Sequence, residues 1–215
     1  MSSAGAAPAA GEPARPAARE ARTRLRREEI VAAAARIFAT AGYHNVGMRD
    51  IADAVGIRGA SLYHHFPSKE EILYAVCLSV TREPNEENLL LLDAPGTPSQ
   101  RMAALVRAHL RHLHRRRVEH LVGLHELNSL APEHRAEIDG YRRYYQRRVR
   151  DVVVAGVRTG EFRVPDARLA AFGLLDMLNG ISNWFHDDGV LGLEQVVDGY
   201  VELIVGRMLG SSGPY

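Results

Sequence analysis

An all-α fold in two domains is what this chain predicts, and three observations carry the expectation. Beyond residue 22 almost every segment shows apolar residues at helical spacing, and none alternates convincingly as a half-buried strand would. Between Met48 and Leu73, two short helices are joined by a tight turn at Gly56 and followed at once by a third helix start. Finally, 215 residues with 46% hydrophobic and 25% charged content give one or two ordinary globular domains a real core.

The elements follow in order. Arg24 to Ala41 carries Ile30, Ala33, Ala34, Ile37 and Phe38 on one face and stops at Gly42. Met48 to Val55 and Ala60 to His65 form a helix-turn-helix, with Gly56 where the turn needs a residue tolerant of positive φ. Ile51, Ala52, Val55, Ile57, Leu62 and Phe66 supply its apolar face, leaving Arg58 to His64 free to present polar groups outward. Ser68 and Glu71 have the spacing of a capping box and launch a helix to about Arg82. Glu83 to Pro98 reads as a loop around the apolar run Leu89 to Leu92. Helices follow at about Ser99 to Arg116, Val118 to Leu130 and Pro132 to Thr159, the proline suiting a first helical position. After a break at Gly160 to Pro165, the last two helices are about Asp166 to His186 and Leu193 to Leu209.

Net charge is +1, but its distribution is uneven. Arg15, Arg19, Arg22, Arg24, Arg26 and Arg27 face one acid, Glu20, in a basic arm beside the helix-turn-helix. Phosphate contact accounts for such an arm, most plainly at Arg26 and Arg27; a solvated arginine-rich tail is the alternative for Arg15 to Arg22. Residues 1–22 are expected to be a disordered basic tail, 23–67 a DNA-binding domain, and 68–210 a regulatory and dimerisation domain. The one cysteine, Cys77, lies in an apolar run and reads as a buried inert thiol in a reducing compartment. No apolar segment reaches membrane-spanning length, and Met1 to Pro16 lacks the apolar core of a signal peptide, so a cytoplasmic protein is expected.

One block is more specific than a helix-turn-helix alone. Ile30, Ala33, Ala34 and Phe38, then Gly42 and Tyr43, Arg49 to Ala52, Val55 and Gly56, Leu62 to Phe66, and Ser68 to Leu73 stand at fixed spacing over residues 26 to 75. This block resembles the TetR family of bacterial transcriptional repressors. The resemblance implies a homodimer, paired through its last two helices, that binds a palindromic operator on double-stranded DNA. It also implies release from that operator when a small molecule enters the C-terminal bundle. No cofactor and no membrane partner are implied.

The candidate DNA contacts follow from these positions. Arg58, Gly59, Ala60 and Ser61 open the recognition helix toward the major groove, where Arg58 can read guanine or bind phosphate and Ala60 can touch a thymine methyl. Tyr63 and His64 resemble the family's phosphate and base-edge contacts, and Arg49 joins them from the preceding helix. Lys69, at a helix N-terminus, is expected to hold a phosphate. Arg58 and Gly59 depart from the residues usual in the family, as do Val46 and Gly47 before the second helix, where one phosphate contact is expected to be missing.

In the C-terminal bundle, Leu169, Phe172, Leu175 and Leu178 mark one face, and Leu193, Val196, Val197, Tyr200, Leu203 and Ile204 another. Small residues (Ala170, Ala171, Gly173, Gly199, Gly206) suit close packing, either with a second copy or within the chain. Tyr141 and Tyr145 share a stripe with Ile138, Val149 and Val152, while His125, Asn128, Asp176, Asn179 and Asn183 are polar groups on mostly apolar faces. With Trp184, the residues His125, Asn128, Tyr141, Tyr145, Asp176 and Asn179 are the candidate contacts to an apolar or amphipathic ligand. The run Asn183, Trp184, Phe185 is similar to a subgroup of the family that senses acyl-CoA thioesters. Asp187 and Asp188 stand where that subgroup has a basic residue, an arrangement unfavourable to a CoA phosphate.

His109 and His112 have a metal-compatible i, i+3 spacing, but Arg111, Arg115, Arg116 and Arg117 surround the histidines with positive charge, so no metal is expected. The nucleophile elbow, P-loop, dinucleotide fingerprint and HExxH patterns are absent, and an enzyme is not expected. The rival to a ligand-responsive repressor is a ligand-independent DNA-binding activator or architectural protein. A solid, pocket-free C-terminal core is the feature that would favour it.

Overall fold

A computed structural model describes residues 14–213 and 215, and among these the chain forms nine α-helices and no strand. They are α1 (Ala14–Ala41), α2 (Met48–Val55), α3 (Gly59–His65), α4 (Lys69–Glu86), α5 (Pro98–Arg115), α6 (Arg117–His125), α7 (Pro132–Thr159), α8 (Ala167–Trp184) and α9 (Leu193–Val201). α9 runs on as a π-helical segment, Glu202–Met208.

α1 starts well before the expected Arg24. Residues 14–22, assigned above to a tail, are its first turns, and the remainder of that tail, residues 1–13, lies outside the described residues. Alanine and arginine are both strong helix formers, and Pro16 is tolerated because a first turn needs no N–H from it. The expected loop 83–98 is also shorter, since α4 continues to Glu86 and Leu89 and Leu92 anchor a 3₁₀ turn in the core.

Two apolar cores result. One joins Ile30, Ala34 and Phe38 of α1 to Ile51, Leu62 and Phe66 and to Ile72, Leu73 and Val76 of α4. That core does not close within residues 23–67, because Val122, Leu127, Leu130 and Ile138 from α6 and beyond belong to it as well. The other lies among α5, α7, α8 and α9, around Leu105, Leu110, Val153, Phe162, Leu174 and Ile204. The helix-turn-helix is therefore packed directly on elements of the C-terminal bundle.

Candidate DNA-binding surface and ligand cavity

Local chemistry sets the recognition helix. Gly47 N–H donates to Asp50 Oδ2 at 2.7 Å and opens α2, and Gly56 closes it in the left-handed region at φ 68°. Ile57 N–H reaches back to Ala52 O at 3.0 Å, and α3 begins at once with Arg58 at its N-cap. Leu62 and Phe66 are buried, so the opposite side of α3 must face water. Arg58, Gly59, Ala60, Ser61, Tyr63 and His64 are all exposed there, Tyr63 at 55%. Arg49 is on the same surface, its side chain 94% exposed and only 3.9 Å from Asp53, a contact too solvated to hold it.

Two basic residues expected at DNA also make contacts within this domain. Lys69 Nζ donates to the carbonyls of Tyr43 at 2.8 Å and Val46 at 2.7 Å and sits 4.3 Å from the Tyr43 ring centre. It clamps the α1–α2 turn to α4. Arg27 donates to the His65 carbonyl and lies 4.0 Å over the Phe66 ring, closing the C-terminus of α3. Arg26 pairs with Glu29 at 2.5 Å. The capping box at α4 is half formed: Ser68 Oγ accepts from Glu71 N–H at 3.1 Å, while the Glu71 carboxylate lies 3.9 Å from His134.

Replacing Lys69 with methionine is expected to lower the melting temperature by about 5 °C, because two carbonyls lose a charged donor. The salt dependence of DNA binding is expected to stay unchanged. A slope reduced by about one would instead identify Lys69 as a phosphate contact.

In the bundle, α4, α5, α6, α7 and α8 line a cavity of about 340 Å³ that opens to solvent beside Leu124, Phe172 and Asp176. Of the candidate ligand residues, Tyr145, Asp176 and Asn179 line it. His125, Asn128, Tyr141 and Trp184 do not. His125 and Asn128 are exposed, Asn128 accepting from Arg135 at 2.6 Å, and Trp184 stacks on Tyr200 at the surface. Helical periodicity identifies a polar residue on an apolar face, but not which of two helix faces meets the cavity.

The cavity's most unusual groups were not among the candidates. His109, His112 and His120 are buried, line it together, and leave Nε2 without a hydrogen-bond partner among the described residues. Their Arg-rich neighbourhood pointed away from a metal, yet it did not exclude neutral imidazoles. Burial is the main cause that drives His109 and His112 down to about 4 and His120 to about 3. His112, His109, Arg115, Arg116 and Arg142 supply further positive fields. His109 Nδ1 is 3.0 Å from the Tyr145 hydroxyl, so its ring orientation is fixed. Arg142 also lines the cavity, and burial lowers its pKa. A second, wider hollow between α1 and α4 is open to solvent and lined by charges of both signs.

An exposed recognition helix set on a helical bundle with a cavity between its helices defines a helix-turn-helix transcriptional regulator. Comparison with known proteins makes the class specific. Residues 30–76 match the family described as bacterial regulatory proteins, tetR family, and residues 95–208 match the tetracyclin repressor-like C-terminal domain. The chain belongs to the TetR family.

It is 29% identical over 190 residues to the transcriptional repressor KstR2 of Mycolicibacterium smegmatis, covering 87% of this chain and 93% of that protein. The TetR regulator PfmR of Thermus thermophilus superposes with a TM-score of 0.76 at 33% identity, covering 82% of this chain and 96% of the other. AibR, solved with isovaleryl coenzyme A and operator DNA, gives 0.75 at 31% identity, covering 84% and 98%. Among the described residues no helix is long and apolar enough to cross a membrane.

Proposed function

We propose that this protein is a ligand-responsive transcriptional repressor that binds a palindromic operator as a homodimer and releases it when an amphipathic organic ligand fills the α4–α8 cavity. The observation that carries the first part is the exposed face of α3, where Arg58, Gly59, Ala60, Ser61, Tyr63 and His64 stand clear of protein contacts that would occupy them. Small residues at its start let the helix approach base edges closely, and Arg49, Tyr63 and His64 suit phosphates and the groove wall.

Pairing through α8 and α9 is supported by what those helices leave unsatisfied. Leu169, Met177, Trp184 and Leu203 are exposed. Gly180 and Gly199 lie inside helices with nothing near the position a Cβ would take, so this chain gains nothing from the missing side chain. Helical glycine costs about 1 kcal/mol relative to alanine, and a helix of a second copy approaching closely would account for it. By contrast Ala170, Ala171, Leu178, Val196, Val197 and Ile204 belong to this chain's own core. The two faces thus divide between the intrachain and dimer readings.

The 340 Å³ cavity, rather than a solid core, favours ligand response over the ligand-independent alternative. A relative's structure with isovaleryl coenzyme A makes an acyl-CoA one candidate, of which only the acyl end fits such a volume. Signal transfer has a physical route, since α4 and α6 contribute both to the cavity and to the core around α1.

The test is fluorescence anisotropy on operator DNA at several salt concentrations. Tyr63→Ala and His64→Ala are expected to weaken binding about ten-fold or more each. Arg58→Ala is expected to cost about 1–3 kcal/mol and relax one base position. Unchanged affinity in all three would remove α3 from the interface.

A further inference from the structure

Reading the α4–α8 cavity as the effector site, on which this inference rests, leaves the effector's polar group undefined. Two charged side chains bear on it. Asp176 is exposed on α8, at the solvent side of the cavity, and makes no ion pair with Arg142. Arg142, on α7, is half-buried, and its one protein hydrogen bond among the described residues is a long one, Nη2 to the Gly123 carbonyl at 3.4 Å.

Apart from the solvent-exposed Asp176, the carboxylates around Arg142 are committed elsewhere. Asp139, one turn earlier, pairs with Arg135 at 3.2 Å. Glu83 and Glu119 pair with Arg116 at 3.4 and 3.5 Å. Among the described residues no carboxylate lies within 4.0 Å of Arg142. A guanidinium cannot escape this cost by losing its proton, and its planar fork matches a carboxylate. Beside it stand the three buried imidazoles with unpaired Nε2 atoms, each able to give or accept one hydrogen bond.

We propose that the effector is a compact organic carboxylate whose anion pairs with Arg142. Its carbon skeleton lies along Pro84, Leu113, Leu124, Phe172 and Leu175, and any hydroxyl or carbonyl oxygen it carries meets His109, His112 or His120. A water takes up about 30 Å³ of liquid, so the cavity suits on the order of ten to fifteen non-hydrogen atoms. A CoA thioester has no anion at its acyl end to pair with Arg142.

The experiment is calorimetric titration of the full chain with hexanoate, octanoate, decanoate, phenylacetate and cyclohexanecarboxylate, each against its primary amide, with octanoyl-CoA as a further probe. At least one carboxylate is expected to bind about ten-fold tighter than its amide, the worth of one charge-assisted pair. Arg142→Gln is expected to abolish that preference while the unliganded melting temperature holds or rises, because an unpaired charge is removed. Arg142→Lys is expected to retain part of it. Equal binding of acid and amide, a preference that survives Arg142→Gln, or no carboxylate binding overturns the inference. Binding of amides or octanoyl-CoA without the acids would overturn it while leaving the cavity as the effector site.

Discussion

Leu203→Glu is expected to leave the chain folded but monomeric, and to weaken operator binding by about a thousand-fold. Leu203 is 50% exposed on the π-helical end of α9, so its loss removes little from the chain's own core. In a two-fold dimer two introduced carboxylates would face each other or the partner's apolar surface, without the water they need. The second half-site would then no longer be bound intramolecularly, and that linkage is worth about 10²–10⁴ in affinity. Light scattering after size exclusion reads the mass, circular dichroism the fold, and anisotropy the affinity. A variant that stays dimeric would move the interface away from α8 and α9.

The second large effect is acid destabilisation well above the range where carboxylates titrate. His109, His112 and His120 have folded-state pKa values of about 4, 4 and 3, below the ordinary 6.5. Well above pH 6.5 both folded and unfolded chains hold them neutral, and nothing is lost. Below it the unfolded chain takes up protons that the folded chain refuses, so stability falls with pH until the folded-state values are reached. Each imidazole steepens that fall, so the three together make stability drop sharply between pH 6 and 5. A domain whose total stability is typically about 5–15 kcal/mol is sensitive to such a loss.

His134 works in the opposite sense. Its hydrogen bond to Glu70 raises its pKa, and that stability is present below pH 6.5 and lost as pH rises through the raised value. It is one partly solvated group and does not offset three. Urea unfolding at pH 7, 6 and 5 measures the slope, which is expected to flatten in His109→Gln and His120→Gln. A flat profile in the wild-type chain would mean the three rings are solvated or already paired.

What could be read from the sequence depended on how local the determining physics was. Helix periodicity, the glycine turn at Gly56 and the exposed side of α3 are decided within a few residues, and they were legible. Gly56 adopts the left-handed conformation its position called for, and Leu62 and Phe66 are buried as their spacing required. The intrachain partners of Lys69 and Arg27 were not legible, for the opposite reason. Their partners lie 26 and 38 residues away in the chain, and a basic residue near a helix-turn-helix looks the same whether it holds a phosphate or a carbonyl.

The cavity was legible only in part, because it is assembled from five helices. Tyr145 was singled out by its stripe, and Asp176 and Asn179 as polar groups on apolar faces, and all three line the cavity; but His125 and Asn128 fit the second description equally and face solvent. The histidine cluster was visible as composition. Its burial in the cavity beside Arg142 became visible only in the folded chain.

Sequence-specific operator recognition by a two-fold dimer is open to a direct check, selection of binding sites from random double-stranded DNA. The expected result is enrichment of an inverted repeat whose half-site centres lie about one helical turn apart or a multiple of it, with binding that weakens as salt rises. Arg58→Ala should relax one position in each half-site. Enrichment of no sequence by a folded dimer, or of a single asymmetric site indifferent to changes in α3, would contradict it.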